Sequence, residues 1–271
     1  MLQQFSAIEL HISIASQAVF TVWGFAVTNA LLTGVVGGAI TLSILFYVAH
    51  AVKHGNYNRF VGLVQWMFEG LLNQINDVIS DKELARKVTP LAVTIFFFVL
   101  INYWLSITPG LEAVTLNNVP LIRSLAADLN FTLALSIIAF VVVQFYAIVR
   151  HGVIGNAKRY LRNPLKDPIG AFEGVLELIG ELSRYSALAL RLFGNCFAGE
   201  VLLIVIGVLT SYFAAVTLPF FMVFELFIGF IQAYVFFILI LIFTSLAQES
   251  HGPEHSSDHA PKRAEAAVSA S

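Results

Sequence analysis

Acidic, basic and amide side chains interrupt a long apolar stretch of the sequence at spacings that suit ion transfer. Glu177, Arg184 and Arg191 follow one another at intervals of seven residues, and Asn195 comes four residues after Arg191. Seven residues turn an α-helix through about 700°, about 20° short of two full turns, so one helix face should carry all four. Carboxylates exchange protons, whereas a guanidinium stays charged at any working pH. The pattern therefore combines proton-exchanging groups with a fixed cation.

A second group of polar residues lies further along the same apolar region. Glu200 follows Arg191 by nine residues, and Glu225 and Gln232 are seven residues apart on the next apolar segment. Ionisable groups at membrane depth cost at least about 2.5–3.5 kcal/mol each and usually mark ion pathways. The alternative interpretation is a structural ion pair between Arg191 and Glu200 or Glu225. The ordering of several polar groups by depth, with acids toward each face and Arg191 between them, favours a pathway.

Composition places these side chains in a membrane protein. Of the 271 residues, 58% are hydrophobic and only 12% are charged, against about 25% charged in an average soluble domain. The formal net charge is −2, which implies no basic surface for nucleic acid. One cysteine, Cys196, can form neither an internal disulfide nor a multi-cysteine metal site. We expect no metal and no cofactor.

Five stretches are apolar enough to cross a bilayer, which takes about 20 mostly apolar residues. The sequence thus predicts an all-α polytopic membrane protein, with an outer-side N-terminal segment (1–25), a membrane domain (26–247) and a polar tail (248–271) expected to be disordered. The predicted spanning helices lie near residues 26–50, 89–108, 129–149, 168–212 and 219–247.

Two further elements follow from the pattern. Residues 60–79 mix apolar and polar positions at helical spacing, which predicts an amphipathic helix in the inner interface; an ordinary cytoplasmic loop helix is the alternative. Residues 168–212 would extend about 68 Å as a helix, against a hydrocarbon core of about 30 Å. Together with the fifth span, after a turn at 213–218, they predict an antiparallel hairpin of two long tilted helices.

Loop charge predicts the orientation. The loops at 50–88 and 150–167 each carry five Lys or Arg residues, whereas the loop at 109–128 carries only Arg123. Basic loops stay on the cytoplasmic side. Five spans then place the N-terminus outside and the C-terminus in the cytoplasm.

The segment 184–200 resembles the signature of subunit a of the rotary ATP synthases. Its core reads Leu-Arg-Leu-Phe-Gly-Asn at 190–195, followed by Ala-Gly-Glu at 198–200. The resemblance extends from about residue 60 to residue 247. Further matches are the Gln65 to Glu69 segment, residues 90–109, residues 127–132, Glu177 and Gln232.

The resemblance implies a stator subunit of the membrane sector, with two long helices curving along a rotating ring of c subunits. Protons would reach the ring carboxylates through one half-channel and leave through another, which couples their flow to ATP synthesis. The implied partners are the c-ring, the peripheral-stalk b subunits, the soluble ATPase head and the bilayer. The implied location is a bacterial inner membrane, or else an organellar energy-coupling membrane.

The resemblance also assigns roles to residues. Arg191 would face the ring carboxylate, keep it ionised and block a direct leak between the half-channels. Glu at both 200 and 225 departs from the pattern of the family, in which some members carry His at the position of Glu225 and others carry His at the position of Glu200. The outer half-channel would be lined by Glu200, Glu225, Gln232 and Asn195, with Asn102 and Asp128 as weaker candidates. The cytoplasmic half-channel would be lined by Glu177, with Glu181 and Ser183 as weaker candidates.

Two other functions compete with this one. A self-contained secondary ion transporter or channel should show paired repeats and broken helices around a midplane site, and the sequence contains neither. A non-transporting assembly subunit would leave Arg191 and the acids without a task. No glycine-rich phosphate loop with a following lysine occurs in the sequence, so no interpretation puts ATP chemistry, or any catalytic site, on this chain.

Overall fold

The computed structural model describes residues 16–22, 25–108, 115–116, 119–120, 123–160 and 168–247. These residues confirm an all-α polytopic protein, and five of the helices are long and apolar enough to cross a membrane. The expectations for residues 1–15 and for the tail at 248–271 lie outside the described residues. The elements are β1 (Ala18–Val22), β2 (Phe25–Thr28), α1 (Asn29–Lys53), α2 (Arg59–Val78), α3 (Lys82–Ile107), β3 (Thr115–Leu116), β4 (Val119–Pro120), α4 (Leu129–Tyr160), α5 (Pro168–Thr210), a 3₁₀ turn (Ser211–Phe213) and α6 (Ala214–Leu246).

Two short antiparallel hairpins, β1–β2 and β3–β4, were not predicted. The first one leads directly into α1, where the Thr28 hydroxyl accepts a hydrogen bond from the Leu31 amide and caps the helix. Its strands are rich in Val, Phe and Thr, which favour extended backbone. Sequence analysis assigned residues 18–25 to the outer segment and residues 26–28 to the first spanning helix, which instead begins at Asn29 and ends at Lys53.

Helix α3 begins at Lys82, seven residues before the predicted span. The Asp81 carboxylate accepts a hydrogen bond from the Glu83 amide at 2.9 Å and caps the helix there. Charged residues end the part of a helix that can lie in lipid, but they do not end the helix itself. The predicted helix at 60–79 is confirmed as α2, with Val61, Leu71 and Ile75 buried on one face; its interfacial position stays a prediction.

Helix α4 differs from the prediction at its C-terminal end. It continues past Arg150 to Tyr160, but Gly152 breaks its axis with φ 74° and ψ 161°. A positive φ is readily adopted only by glycine. The helical turns after the break return toward the first part, where the Asn156 side-chain amide donates to Gln144 Oε1 at 3.1 Å. The first half of the predicted loop at 150–167 is therefore helical.

The predicted hairpin of long helices is confirmed, with 43 residues in α5 and 33 in α6. The turn is shorter than expected, because α6 begins at Ala214 and takes Pro219 inside the helix. Membrane helices tolerate proline when neighbouring groups satisfy the freed backbone. Near this turn, Thr217 Oγ1 lies 2.9 Å from Thr210 Oγ1 and donates to the Phe213 carbonyl, which joins the two helices.

The core forms where α3, α4 and α5 pack around α6. The most extensive contacts join α3 to α6, α4 to α5, and α5 to α6. Phe96, Phe236 and Phe237 fill this core and are almost fully buried. The outward faces of α1 and α5 remain covered with exposed apolar side chains. This arrangement brings the polar residues of α3, α5 and α6 to one place inside the bundle.

Candidate functional site

Glu200 and Glu225, which the sequence placed on separate helices, open onto one cavity of about 250 Å³. The cavity lies between α3, α5 and α6 and holds polar and apolar groups together. Its lining includes Tyr103, Ser106, Thr108, Cys196, Glu200, Leu203, Met222 and Glu225.

Glu225 is held tightly on the α3 side of this cavity. It is 3% exposed, and the Tyr103 hydroxyl donates a hydrogen bond to its Oε1 at 2.6 Å. A methyl group at Gly199 would overlap the Glu225 carboxyl group, and one at Gly229 would overlap the Tyr103 ring. Both glycines are thus needed where they lie, because they leave the room that the acid and its donor occupy.

Sequence analysis missed Tyr103. Its ring is buried between helices like any packing aromatic, and only its hydroxyl distinguishes it from the phenylalanines that precede it in α3. The hydroxyl itself was the signal that the sequence offered, since a buried tyrosine hydroxyl needs a polar partner. Cys196 is buried and lies 2.7 Å from the Ser124 hydroxyl. Ser124 was also missed.

Asn195 and Gln232 form the link between α5 and α6 nearer the middle of the helices. The Asn195 side-chain amide donates to Gln232 Oε1 at 2.7 Å. Gln232 is 2% exposed, and its own amide nitrogen has no hydrogen-bond partner within the described part of the chain. A buried donor of this kind costs about 1–3 kcal/mol unless a further group or water satisfies it. The structure therefore brings two of the predicted outer residues together and leaves one donor open.

Arg191 points away from the bundle. It is exposed on α5, one helical turn before Asn195, and no ion pair or hydrogen bond joins its guanidinium to another described residue. The alternative interpretation, a structural pair of Arg191 with Glu200 or Glu225, is therefore not what this structure contains. The fixed cation is presented on the outer surface of the hairpin.

The three residues predicted for the cytoplasmic half-channel differ in burial. Glu181 is 5% exposed, and the Tyr160 hydroxyl donates to its Oε2. Ser183 is exposed and Glu177 is partly buried. A small cavity beside Glu181 is also lined by Arg184, whose guanidinium lies 5.6 Å from the Phe243 ring centre.

Asp128 and Asn102, the two weaker candidates for the outer half-channel, make contacts elsewhere in the structure. Asp128 Oδ1 accepts from the Asn130 amide at 2.9 Å, an interaction typical of a helix start. Asn102 is buried against Gly37, where a methyl group would overlap its side chain, and its amide donates to the Phe98 carbonyl. Neither residue lines the cavity of Glu200 and Glu225.

Comparison with known proteins shows extensive similarity. The sequence model of the ATP synthase A chain family matches residues 31–245. The chain is 32% identical over 233 residues to ATP synthase subunit a of Mycobacterium tuberculosis (strain CDC 1551 / Oshkosh), covering 84% of this chain and 90% of the relative. It is 30% identical over 246 residues to ATP synthase subunit a 2 of Acaryochloris marina, covering 89% and 95%. ATP synthase subunit a of Buchnera aphidicola subsp. Schizaphis graminum (strain Sg) is 27% identical over 231 residues, covering 82% of this chain and 84% of the relative.

Proposed function

The chain belongs to the ATP synthase A chain family and is an integral membrane protein, and from this premise we propose that it carries protons across the membrane for the synthase. It supplies two offset half-channels, one from each side, that end at carboxylates on a rotating ring of small subunits. Rotation between the two ends couples the proton flow to ATP synthesis in a soluble head. The peripheral-stalk b subunits hold the chain still against the ring.

The exposure of Arg191 carries this proposal. A permanent cation that is exposed on a membrane-spanning helix and has no ion pair among the described residues calls for an anion from another subunit, and a ring carboxylate is such an anion. Held ionised beside Arg191, that carboxylate cannot pass with its proton from one half-channel directly to the other. The cavity with Glu200 and Glu225 lies beyond Arg191 toward the hairpin turn, and buried Glu181 lies on the opposite side. The order along α5 is acid, cation, acid, as two offset pathways require.

Purification and conductance test this function. The complete complex, extracted in mild detergent through an affinity tag on its ATPase head, should contain this chain together with a ring of small two-helix subunits. Membrane vesicles stripped of the head should conduct protons passively, and vesicles that lack only this chain should not. Conductance that is unchanged without the chain, or a complex that never contains it, would contradict the proposal.

The orientation makes a separate prediction. With Cys196 replaced by Ser, a cysteine in place of Tyr57, between α1 and α2, should react with a membrane-impermeant thiol reagent only from the cytoplasmic side. A cysteine in place of Tyr212, at the hairpin turn, should react only from the outer side. Both side chains are well exposed, at 68% and 96%. Labelling of both positions from one side would exclude an arrangement with the C-terminus in the cytoplasm and the N-terminus outside.

A further inference from the structure

A chain of hydrogen bonds reaches Glu181 from the folded-back end of α4. The Asn156 amide donates to Gln144 Oε1 at 3.1 Å, and the Gln144 amide donates to the Tyr160 hydroxyl oxygen at 3.0 Å. The Tyr160 hydroxyl in turn donates to Glu181 Oε2. Each of these hydrogen bonds is donated to the next residue in the direction of Glu181, so the Glu181 carboxyl group is the final acceptor.

The break at Gly152 makes this arrangement possible. Without it, the residues after Arg150 would continue along the axis of α4, and Tyr160 would lie about 24 Å beyond Gln144. The positive φ of Gly152 returns the chain, so that a hydroxyl sixteen residues later meets the Gln144 side chain. The return also places the Tyr160 hydroxyl against Glu181, which is buried.

The position of Glu181 suits the cytoplasmic pathway better than that of the other candidates. It precedes Arg191 by ten residues, or about 15 Å along α5, and it is buried, whereas Ser183 is exposed. The cavity beside it, about 10 Å³, is lined by Arg184, Tyr185 and Phe243 among others. That volume is at the lower limit for one water molecule.

We propose that Tyr160 is a positioning residue of the cytoplasmic half-channel, and that it fixes the Glu181 carboxyl group as the acid through which protons leave or enter. This inference rests on the proposed function. Carboxamides such as Asn156 and Gln144 do not relay protons at neutral pH, so the hydrogen-bond chain orients the acid and does not conduct. The single hydroxyl proton of Tyr160 is directed at Glu181 because Gln144 occupies the hydroxyl oxygen as a donor. The free side of Glu181 then stays turned toward the small cavity.

Replacing Tyr160 by Phe in the complete complex tests the inference. Passive proton conductance of head-stripped vesicles, divided by the amount of assembled complex, should fall about tenfold, as expected for the loss of one positioning hydrogen bond. Tyr146→Phe is the matched control, since it removes a hydroxyl that donates to the Lys87 carbonyl at 3.0 Å from the same helix. That control should conduct normally. Equal conductance of the Tyr160 and Tyr146 variants would overturn the inference.

A double-mutant cycle separates positioning from packing. Glu181→Gln should lower conductance strongly, and adding Tyr160→Phe to it should change little, because the hydroxyl acts through the acid. Losses that simply add would assign Tyr160 a structural role, and normal conductance of Glu181→Gln would remove Glu181 from the path. If Tyr160→Phe does not assemble, Gln144→Leu weakens the same orientation and should give a smaller loss; normal conductance there would count against the inference.

The outcomes also distinguish this inference from the function on which it depends. If the chain is required for conductance while Tyr160→Phe behaves as its control does, only the positioning role fails. If vesicles without the chain conduct normally, the proposed function fails first.

Discussion

Replacing Arg191 by Ala is expected to abolish ATP-driven proton pumping and proton-driven ATP synthesis, with rates at least about a hundredfold lower, while the complex still assembles. The guanidinium is exposed and makes no ion pair within the described structure, so its removal leaves no buried partner unsatisfied. A methyl group in its place cannot keep a ring carboxylate ionised. The measurement is ATP-driven acidification of inverted vesicles, with subunit abundance determined in the same membranes.

Arg150→Ala provides the matched control. Its guanidinium pairs with Asp81 at 3.4 Å, but both side chains are substantially exposed, and such pairs contribute only about 0–1 kcal/mol. Pumping should therefore be nearly normal in this variant. Arg191→Lys keeps a charge but loses the planar fork of donors, so its activity should fall between the wild type and the alanine variant. Normal pumping by an assembled Arg191→Ala complex would remove the cation from the mechanism.

Replacing Glu225 by Gln should reduce passive proton conductance about a hundredfold, the lower range of effects for losing an acid–base group. The amide oxygen can still accept the bond from Tyr103, and the volume next to Gly199 is unchanged, so assembly should persist. Glu200→Gln should act in the same direction, because both acids open onto one cavity. Glu225→His should retain substantial function, since imidazole also exchanges protons near neutral pH.

Conductance per assembled complex, measured after the ATPase head is stripped, separates this prediction from a structural role. If the two acids served only to stabilise the fold, the Gln variants would lower the abundance of the complex and leave its specific conductance unchanged. Met222→Leu, which alters the same cavity without an ionisable group, should conduct normally. Normal specific conductance in both Gln variants would place the pathway elsewhere.

Local spacing on apolar helices identified the polar candidate residues of α5 and α6, because residues three, four or seven apart lie on a common face of a helix. Asn195 and Gln232, which hydrogen-bond across the hairpin, were both found in this way. Spacing could not reveal Tyr103, which meets Glu225 across 122 residues of sequence, since pairing between distant helices depends on how the bundle packs. Tyr160 was hidden for a related reason: a single glycine reverses α4, and no periodicity extends across that reversal.

The ends of the helices were the other feature that the sequence predicted inaccurately. Loss of hydropathy predicted where lipid contact ends, whereas α3 and α4 extend beyond those predicted limits. The half-channels, the ring contact and the orientation stay predictions that the experiments above decide.

The exposed cation on α5 has a bearing on biogenesis. A newly inserted chain, before any partner covers this helix, would hold Arg191 and its neighbour Leu190 against lipid tails. A charge in that position costs at least about 2.5–3.5 kcal/mol on insertion scales. A partner that supplies an anion beside Arg191 would relieve this cost. The same exposed cation that we propose for proton transfer would in this way also favour incorporation of the chain into a complex over its persistence alone in the bilayer.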